Sequence, residues 1–376
     1  MSRRPRVLIL SEIPTPYRLP LYRLIAEQGE VELEIAFCAA SQPDRPWSID
    51  AELGSVPHRV LRGFPMTRRS SRNTFVYEVN PSVVALLLRG RFDLLVIGGY
   101  AVFAEQVAIA YARATRRPYL LHVESHLGKP RSGAVARAKS ILLPHVIGAA
   151  AGGLAVGTAA KRYLEAYGLE SDRIHIFPNT IDVDAYGRAA NDARTRDGAI
   201  RRERDLPERY SLFVGRLVEA KGISDLLAAH ALLGPSAPEL LVAGEGPLRD
   251  SVARAPRVRL LGFQDTSSLI ELYALAERLV VPSRDEPWGV VVNEALACGT
   301  PVVASDAVGA AEDLIRDGVE GLVVPAGDVH ALSEALSAQL PRVEPESSPI
   351  SGWTYALGVE QFHAAVRLAA PLAATS

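Results

Sequence analysis

The sequence predicts an α/β protein built of two doubly wound halves, and three observations predict it. The chain has 376 residues, too many for one ordinary core. Short runs of Val, Leu and Ile alternate with amphipathic stretches, the pattern of parallel strands joined by helices. That alternation restarts near Tyr210 after a charge-dense interval, giving two similar halves and no short-period repeat.

In the first half, Arg6-Val7-Leu8-Ile9-Leu10-Ser11 reads as a buried strand and residues 31–37 as a second. Between them Pro20 opens a helix whose apolar face is Leu21, Leu24 and Ile25. The turn after the first strand is Ile13-Pro14-Thr15-Pro16-Tyr17-Arg18, with no glycine-rich fingerprint. The missing pyrophosphate turn argues against a dinucleotide-binding dehydrogenase. Further strands are expected at 92–99, 118–123, 153–156 and 173–177, with a helix over 101–115. Residues 191–207 are dense in charge and nearly free of large apolar side chains, so they read as a linker. Domains are therefore expected at 1–187 and 209–354, joined through 188–208.

The second half continues with strands at 210–214, 240–243, 258–261, 279–281, 302–304 and 322–324, and a helix over 222–233. Its densest stretch is 280–306, which reads strand, polar loop, helix, turn, strand. Residues 289–298 have helical spacing, Gly299 ends that helix as a left-handed cap, and Pro301 starts the next strand. A polar, proline-rich stretch at 341–352 precedes a last helix from about Tyr355.

Composition narrows the class. Hydrophobic residues at 48% and charged residues at 22% describe a globular chain, neither disordered nor fibrous. The two cysteines, Cys38 and Cys298, lie far apart on apolar segments, so they read as buried thiols in a reducing compartment. The basic start is followed by an apolar run too short for a signal peptide. The longest weakly polar run, 146–160, holds four glycines and is too short to span a bilayer. A cytoplasmic protein is expected. The first 187 residues carry 23 Lys+Arg against 17 Asp+Glu, and the remainder 18 against 26. A basic first half suits contact with something anionic.

Several short motifs can carry chemistry. Gly215-Arg216 follows a strand, and Lys221-Gly222 opens the next helix. A guanidinium and an ammonium at a helix N-terminus suit a diphosphate. Gly244-Glu245-Gly246-Pro247 allows a ligand close to the main chain. Glu286 and Glu294 flank a helix start among Val290, Val291, Val292, Ala295 and Leu296, where charged groups seldom sit without a partner.

These motifs, with Leu261-Gly262-Phe263, Pro282-Ser283, Gly299-Thr300-Pro301-Val302 and Gly321-Leu322-Val323-Val324, stand in the order and spacing of one family. The chain resembles the retaining, nucleotide-sugar-dependent glycosyltransferases of family four, glycosyl transferases group 1. The resemblance is dense over 210–328 and loose in the first half, apart from Pro178-Asn179-Thr180-Ile181-Asp182. It implies the GT-B fold, two Rossmann-like domains facing each other across a cleft, with the C-terminal helix packing back on the first. It gives Glu286 to hydroxyls of the donor sugar, with the main-chain N–H groups of Trp288, Gly289 and Val290. It gives Glu294 to both ribose hydroxyls, and Arg216 and Lys221 to the diphosphate. Gly215, Gly244, Glu245 and Gly246 line the donor, and Phe263 and Gln264 meet the base.

Many relatives carry a His where strand counting here places Glu124, between His122 and His126. At least one of these three is expected to touch donor sugar or acceptor, with His122 and Glu124 near the reacting centre. On one strand the three would splay too far apart for a zinc site. His126, Tyr17 and Arg18 are the acceptor-side candidates. The implied reaction moves a hexose or N-acetylhexosamine from a UDP-sugar, or next GDP-mannose, to a hydroxyl. The acceptor would be a natural-product or pseudosugar molecule, or a cell-envelope glycolipid. Fixed cations would stabilise the leaving diphosphate, and no Asp-x-Asp pair is placed to hold a metal, so no metal or other cofactor is expected. A front-face reaction, with the departing phosphate helping to deprotonate the acceptor, fits retention. The alternatives are a phosphorylase or sugar-nucleotide epimerase of this fold, or a non-catalytic sugar-nucleotide binder. No nucleic-acid partner is expected. The arginine-rich stretch 57–73, and Lys129, Arg131, Arg137 and Lys139 before Ile141-Leu142-Leu143, suit peripheral contact with an anionic membrane.

Overall fold

The computed structural model describes residues 3–40, 53–69, 74–127, 134–235 and 237–369. The chain divides into two compact units, Met1–Asn179 with Tyr355–Ser376, and Thr180–Thr354.

In the first unit a parallel sheet has the order β3-β2-β1-β6-β7-β8-β9 among the described residues. Its strands are β1 (Arg6–Ser11), β2 (Glu32–Phe37), β3 (His58–Val60), β6 (Leu94–Ile97), β7 (Tyr119–Val123), β8 (Gly152–Ala155) and β9 (Ile174–Ile176). The strands are short and almost wholly apolar, because helices cover both faces of the sheet. Pro20 sits in the first turn of helix Leu19–Gln28, which ends at Gly29 with φ 68°. Helix Tyr355–Ala369 buries Val359, Phe362, Ala365 and Val366 in the same core as Leu21, Ile25 and Phe177. An antiparallel hairpin, β4 (Phe64–Arg69) with β5 (Thr74–Val79), lies within and beyond the arginine-rich stretch. Lys129, Arg131 and residues 70–73 of that membrane reading lie outside the described residues.

In the second unit a parallel sheet runs β12-β11-β10-β13-β14-β15. The strands are β10 (Tyr210–Val214), β11 (Glu239–Ala243), β12 (Val258–Gly262), β13 (Arg278–Val281), β14 (Val302–Ser305) and β15 (Gly321–Val324). Phe213, Leu240, Val242, Val280 and Val303 fill the core with Ile223, Leu226 and Leu332 from the helices.

The structure corrects the expected linker. The division falls between Asn179 and Thr180, and the charge-dense stretch is helical, over Val183–Thr195 and Asp197–Glu203. Ala190, Ala193 and Ile200 give it a narrow buried stripe, and Asp182 caps it by accepting from the Ala185 N–H at 2.9 Å. Its charges are spent on neighbours one turn away, Arg196 with Asp192 and Arg201 with Asp197, and on Glu271, which receives Arg196 and Arg204. Among the described residues no helix is long and apolar enough to cross a membrane.

Candidate functional site

In an open parallel sheet, ligands sit beyond the strand carboxyl ends where the strand order reverses. In the second unit that reversal lies between β10 and β13, which pair directly. The segments leaving those two strands are 215–222 and 282–289.

Glu219–Lys221 forms a single tight turn, and Gly222 then caps helix Ile223–Leu232 with φ 68°. A Cβ at Gly222 would lie 1.9 Å from the Pro282 carbonyl oxygen, so only glycine lets the two segments approach this closely. The approach brings Lys221 Nζ onto Glu286 Oε2 as an ion pair. Their side chains are 26% and 13% exposed, which marks the pair as recessed rather than freely solvated. The Glu286 N–H donates to Ala307 O at 3.2 Å, and Glu286 O accepts from the Gly309 N–H at 3.0 Å. Gly289 has φ 95° and precedes helix Val290–Ala297. Trp288 is buried, donates from Nε1 to Asn293 Oδ1 at 2.9 Å, and stacks on Trp353 with ring centroids 5.0 Å apart. Arg216 is exposed at the carboxyl end of β10.

Glu294 is half-buried a turn into that helix and accepts the Tyr273 hydroxyl on Oε2 at 2.7 Å. Burial pushes its carboxyl up to about 7, and hydrogen bonds from Tyr273 and Tyr186 oppose the shift only in part. Sequence reasoning missed both tyrosines. Tyr273 lies in the run Leu272-Tyr273-Ala274-Leu275 and looks like core, while Tyr186 sits at the end of the expected first domain, just before the supposed linker.

Gly244 and Gly246 let the β11 turn lie against the β10 turn. The Gly244 N–H donates to Gly262 O at 2.7 Å and the Leu217 N–H to Glu245 O at 2.9 Å. The Glu245 carboxylate faces Arg249 at 2.5 Å. Phe263 is 80% exposed, far more than any core residue of its size, and Gln264 Nε2 donates to Leu261 O at 2.9 Å.

The first unit holds the remaining candidates. Arg18 is buried, donates from Nε to Asn179 Oδ1 at 3.0 Å, and pairs with Glu124 Oε1. Tyr17 is half-buried with its ring 5.6 Å from the Arg18 guanidinium carbon. His122, expected near the reacting centre, is buried. It is 4% exposed, its ring lies edge-on to Phe177, and burial with Arg18 nearby holds its pKa well below the usual range. His126 is half-buried. Among the described residues no group of three or more His, Cys, Asp or Glu could hold a metal ion, and His122, Glu124 and His126 do not converge. Arg113, Arg117 and Arg173 line a separate recess at the amino ends of β7 and β8, where they donate to main-chain carbonyls.

Two family models match the chain. Residues 208–341 match Glycosyl transferases group 1, and residues 14–180 match the Glycosyl transferase 4-like domain. A relative in Salinispora tropica, D-inositol 3-phosphate glycosyltransferase, is 33% identical over 204 residues, 49% of this chain and 42% of that protein. The chain thus spans less than half the length of that relative. Among solved structures, the Anabaena protein Alr3699/HepE in complex with UDP has 18% identity with this chain and a TM-score of 0.66, over 98% of this chain and 99% of that one. A glycosyltransferase from Rickettsia africae has 15% identity and a TM-score of 0.71, over 97% and 99%. At these identities the likeness shows the fold: two α/β domains with parallel sheets, as in GT-B structures.

Proposed function

Because the chain belongs to the glycosyl transferases of group 1, we propose that it moves a hexose or N-acetylhexosamine from a nucleoside diphosphate sugar to a hydroxyl acceptor, with retention. The observation that carries this reading is the meeting of Lys221 and Glu286 beyond β10 and β13, with Glu294 a turn into the helix that follows, Val290–Ala297. A UDP-sugar is the proposed donor. Its support is that Alr3699/HepE was solved with UDP and with UDP-glucose.

The residues divide the work as follows. Lys221 and Arg216 take the diphosphate, and Lys221 gives up Glu286 as the phosphate arrives. Glu286, released, accepts hydroxyls of the sugar, and the N–H groups of Trp288, Gly289 and Val290 orient it. Glu294 accepts the ribose hydroxyls, and Phe263 and Gln264 border the base. As the sugar–phosphate bond breaks, negative charge grows on the diphosphate. Cations already in place stabilise that transition state more than the ground state. The phosphate oxygen that leaves takes the acceptor proton on the same face. In this reading those side chains supply the charge stabilisation and the enzyme is metal-independent. Tyr17, Arg18 and His126 form the acceptor side, with Glu124 beside them as the ion-pair partner of Arg18. Peripheral contact with an anionic membrane would place a lipid-linked acceptor.

Release of nucleotide from a radiolabelled donor, measured in excess EDTA, tests the reading. Turnover is expected to survive the chelator. Lys221→Ala is expected to lower it by about 10²–10³-fold. Full activity in that variant, or its loss on chelation alone, would refute the assignment.

A further inference from the structure

The segment that carries Glu286 is fastened to the segment that carries Lys221 by a pair of side chains given no part in the chemistry above. Arg284 precedes Glu286 by two residues, and Asp225 follows Lys221 by four. Arg284 Nε donates to Asp225 Oδ2 at 2.7 Å, and Nη2 donates to Oδ1 at 2.6 Å. Such a two-pronged contact fixes orientation as well as distance. The Arg284 N–H adds a main-chain bond to Ala220 O at 2.9 Å, one residue before Lys221. On its other side the loop is held where Ser305 Oγ donates to Ser283 O.

Charge gives the pair a second consequence. Asp225 is 7% exposed and lies in the first turn of helix Ile223–Leu232. That helix end is where the donor's diphosphate is placed above. An acid there is favoured by the helix, but left alone it would oppose a second anion at the same N-terminus. The Arg284 guanidinium cancels it. Its side chain is 53% exposed against 9% for that of Asp225, so the acid is the desolvated member and the one that needs its partner.

We propose that Arg284 and Asp225 are positioning residues of the donor site. Together they hold Glu286 opposite Lys221, and Arg284 screens the incoming diphosphate from the Asp225 carboxylate. The proposal rests on the reading that this site takes a nucleoside diphosphate sugar. The two effects separate experimentally, because charge acts on nucleotide affinity and geometry acts on turnover.

The test uses the full chain, with UDP affinity by calorimetry and UDP release from UDP-glucose with water as acceptor. Arg284→Met is expected to weaken UDP about tenfold and to lower kcat by a similar factor. The double variant Arg284→Met with Asp225→Asn removes both charges. It is expected to bind UDP within about threefold of wild type while kcat stays about tenfold down. Arg284→Lys, which keeps the charge and loses the fork, is expected to bind UDP normally and turn over slowly. Thermal melts of each variant identify any that fail to fold, and the double variant, free of an uncompensated charge, carries the test if Arg284→Met does not fold. The proposal is overturned if Arg284→Met and the double variant both match wild type in affinity and kcat, or if the double variant binds UDP as weakly as Arg284→Met. Wild-type protein that neither binds UDP nor releases it from UDP-glucose would instead remove the UDP-sugar reading, and the pair's proposed role with it.

Discussion

Glu294 joins burial to a titration near neutral pH. Its carboxyl is pushed up to about 7 from 4.5, so the empty protein favours the protonated form. The stability this contributes is full below about pH 4.5 and is lost as pH rises through about 7. A nucleotide ribose in the proposed role reverses the preference, because two O–H donors favour the carboxylate. Binding should then release a proton, and affinity should rise with pH and level off above about 7. UDP-glucose is the suitable probe, since neither of its phosphates titrates in this range. Calorimetry across pH 5.5–8 should show that rise in wild type and a flat profile in Glu294→Gln. A flat wild-type profile would take Glu294 off the ribose. The two glutamates themselves were legible in the sequence, as charges standing among valines. The partners of Glu294, Tyr186 and Tyr273, were not, because a tyrosine that hydrogen-bonds a buried acid leaves the same pattern as one that fills a core.

At the level of elements, the approach of 215–222 to 282–289 depends on Gly222. Gly222→Ala combines φ 68° with a Cβ 1.9 Å from a main-chain oxygen that cannot swing aside. The expected cost is about 2–4 kcal/mol, read as a lower midpoint in denaturant with little change in slope. Retained stability would mean that the two segments relax apart, and turnover should then fall instead. All six strands of the second sheet were legible to within about a residue at each end, because strands buried on both faces are continuous apolar runs. The β4–β5 hairpin was not, since Phe64 and Met66 are exposed and the sequence around them reads as an arginine-rich surface. Helices Val183–Thr195 and Asp197–Glu203 were mistaken for a linker for a related reason. Their buried stripe is made of Ala190, Ala193 and Ile200, mostly residues too small to register as a core face.

For the molecule as a whole, the two parallel sheets and the order of motifs along the second unit are what the sequence could announce. The distribution of charge between the halves could not say what the first unit meets. There Arg18 is spent on Glu124 and Asn179, and Arg113, Arg117 and Arg173 donate to main-chain carbonyls, so a count of cations overstates how many donor groups are uncommitted. The central claim concerns the second unit: side chains and N–H groups alone hold the diphosphate and ribose of an activated sugar. A crystal structure of the protein soaked with UDP-glucose in the presence of EDTA tests it most directly. The account predicts the diphosphate on Arg216 and Lys221, the ribose on Glu294 and the sugar on Glu286. Lys221 still paired with Glu286 in an empty site, or a diphosphate reached only once a divalent cation is restored, would contradict it.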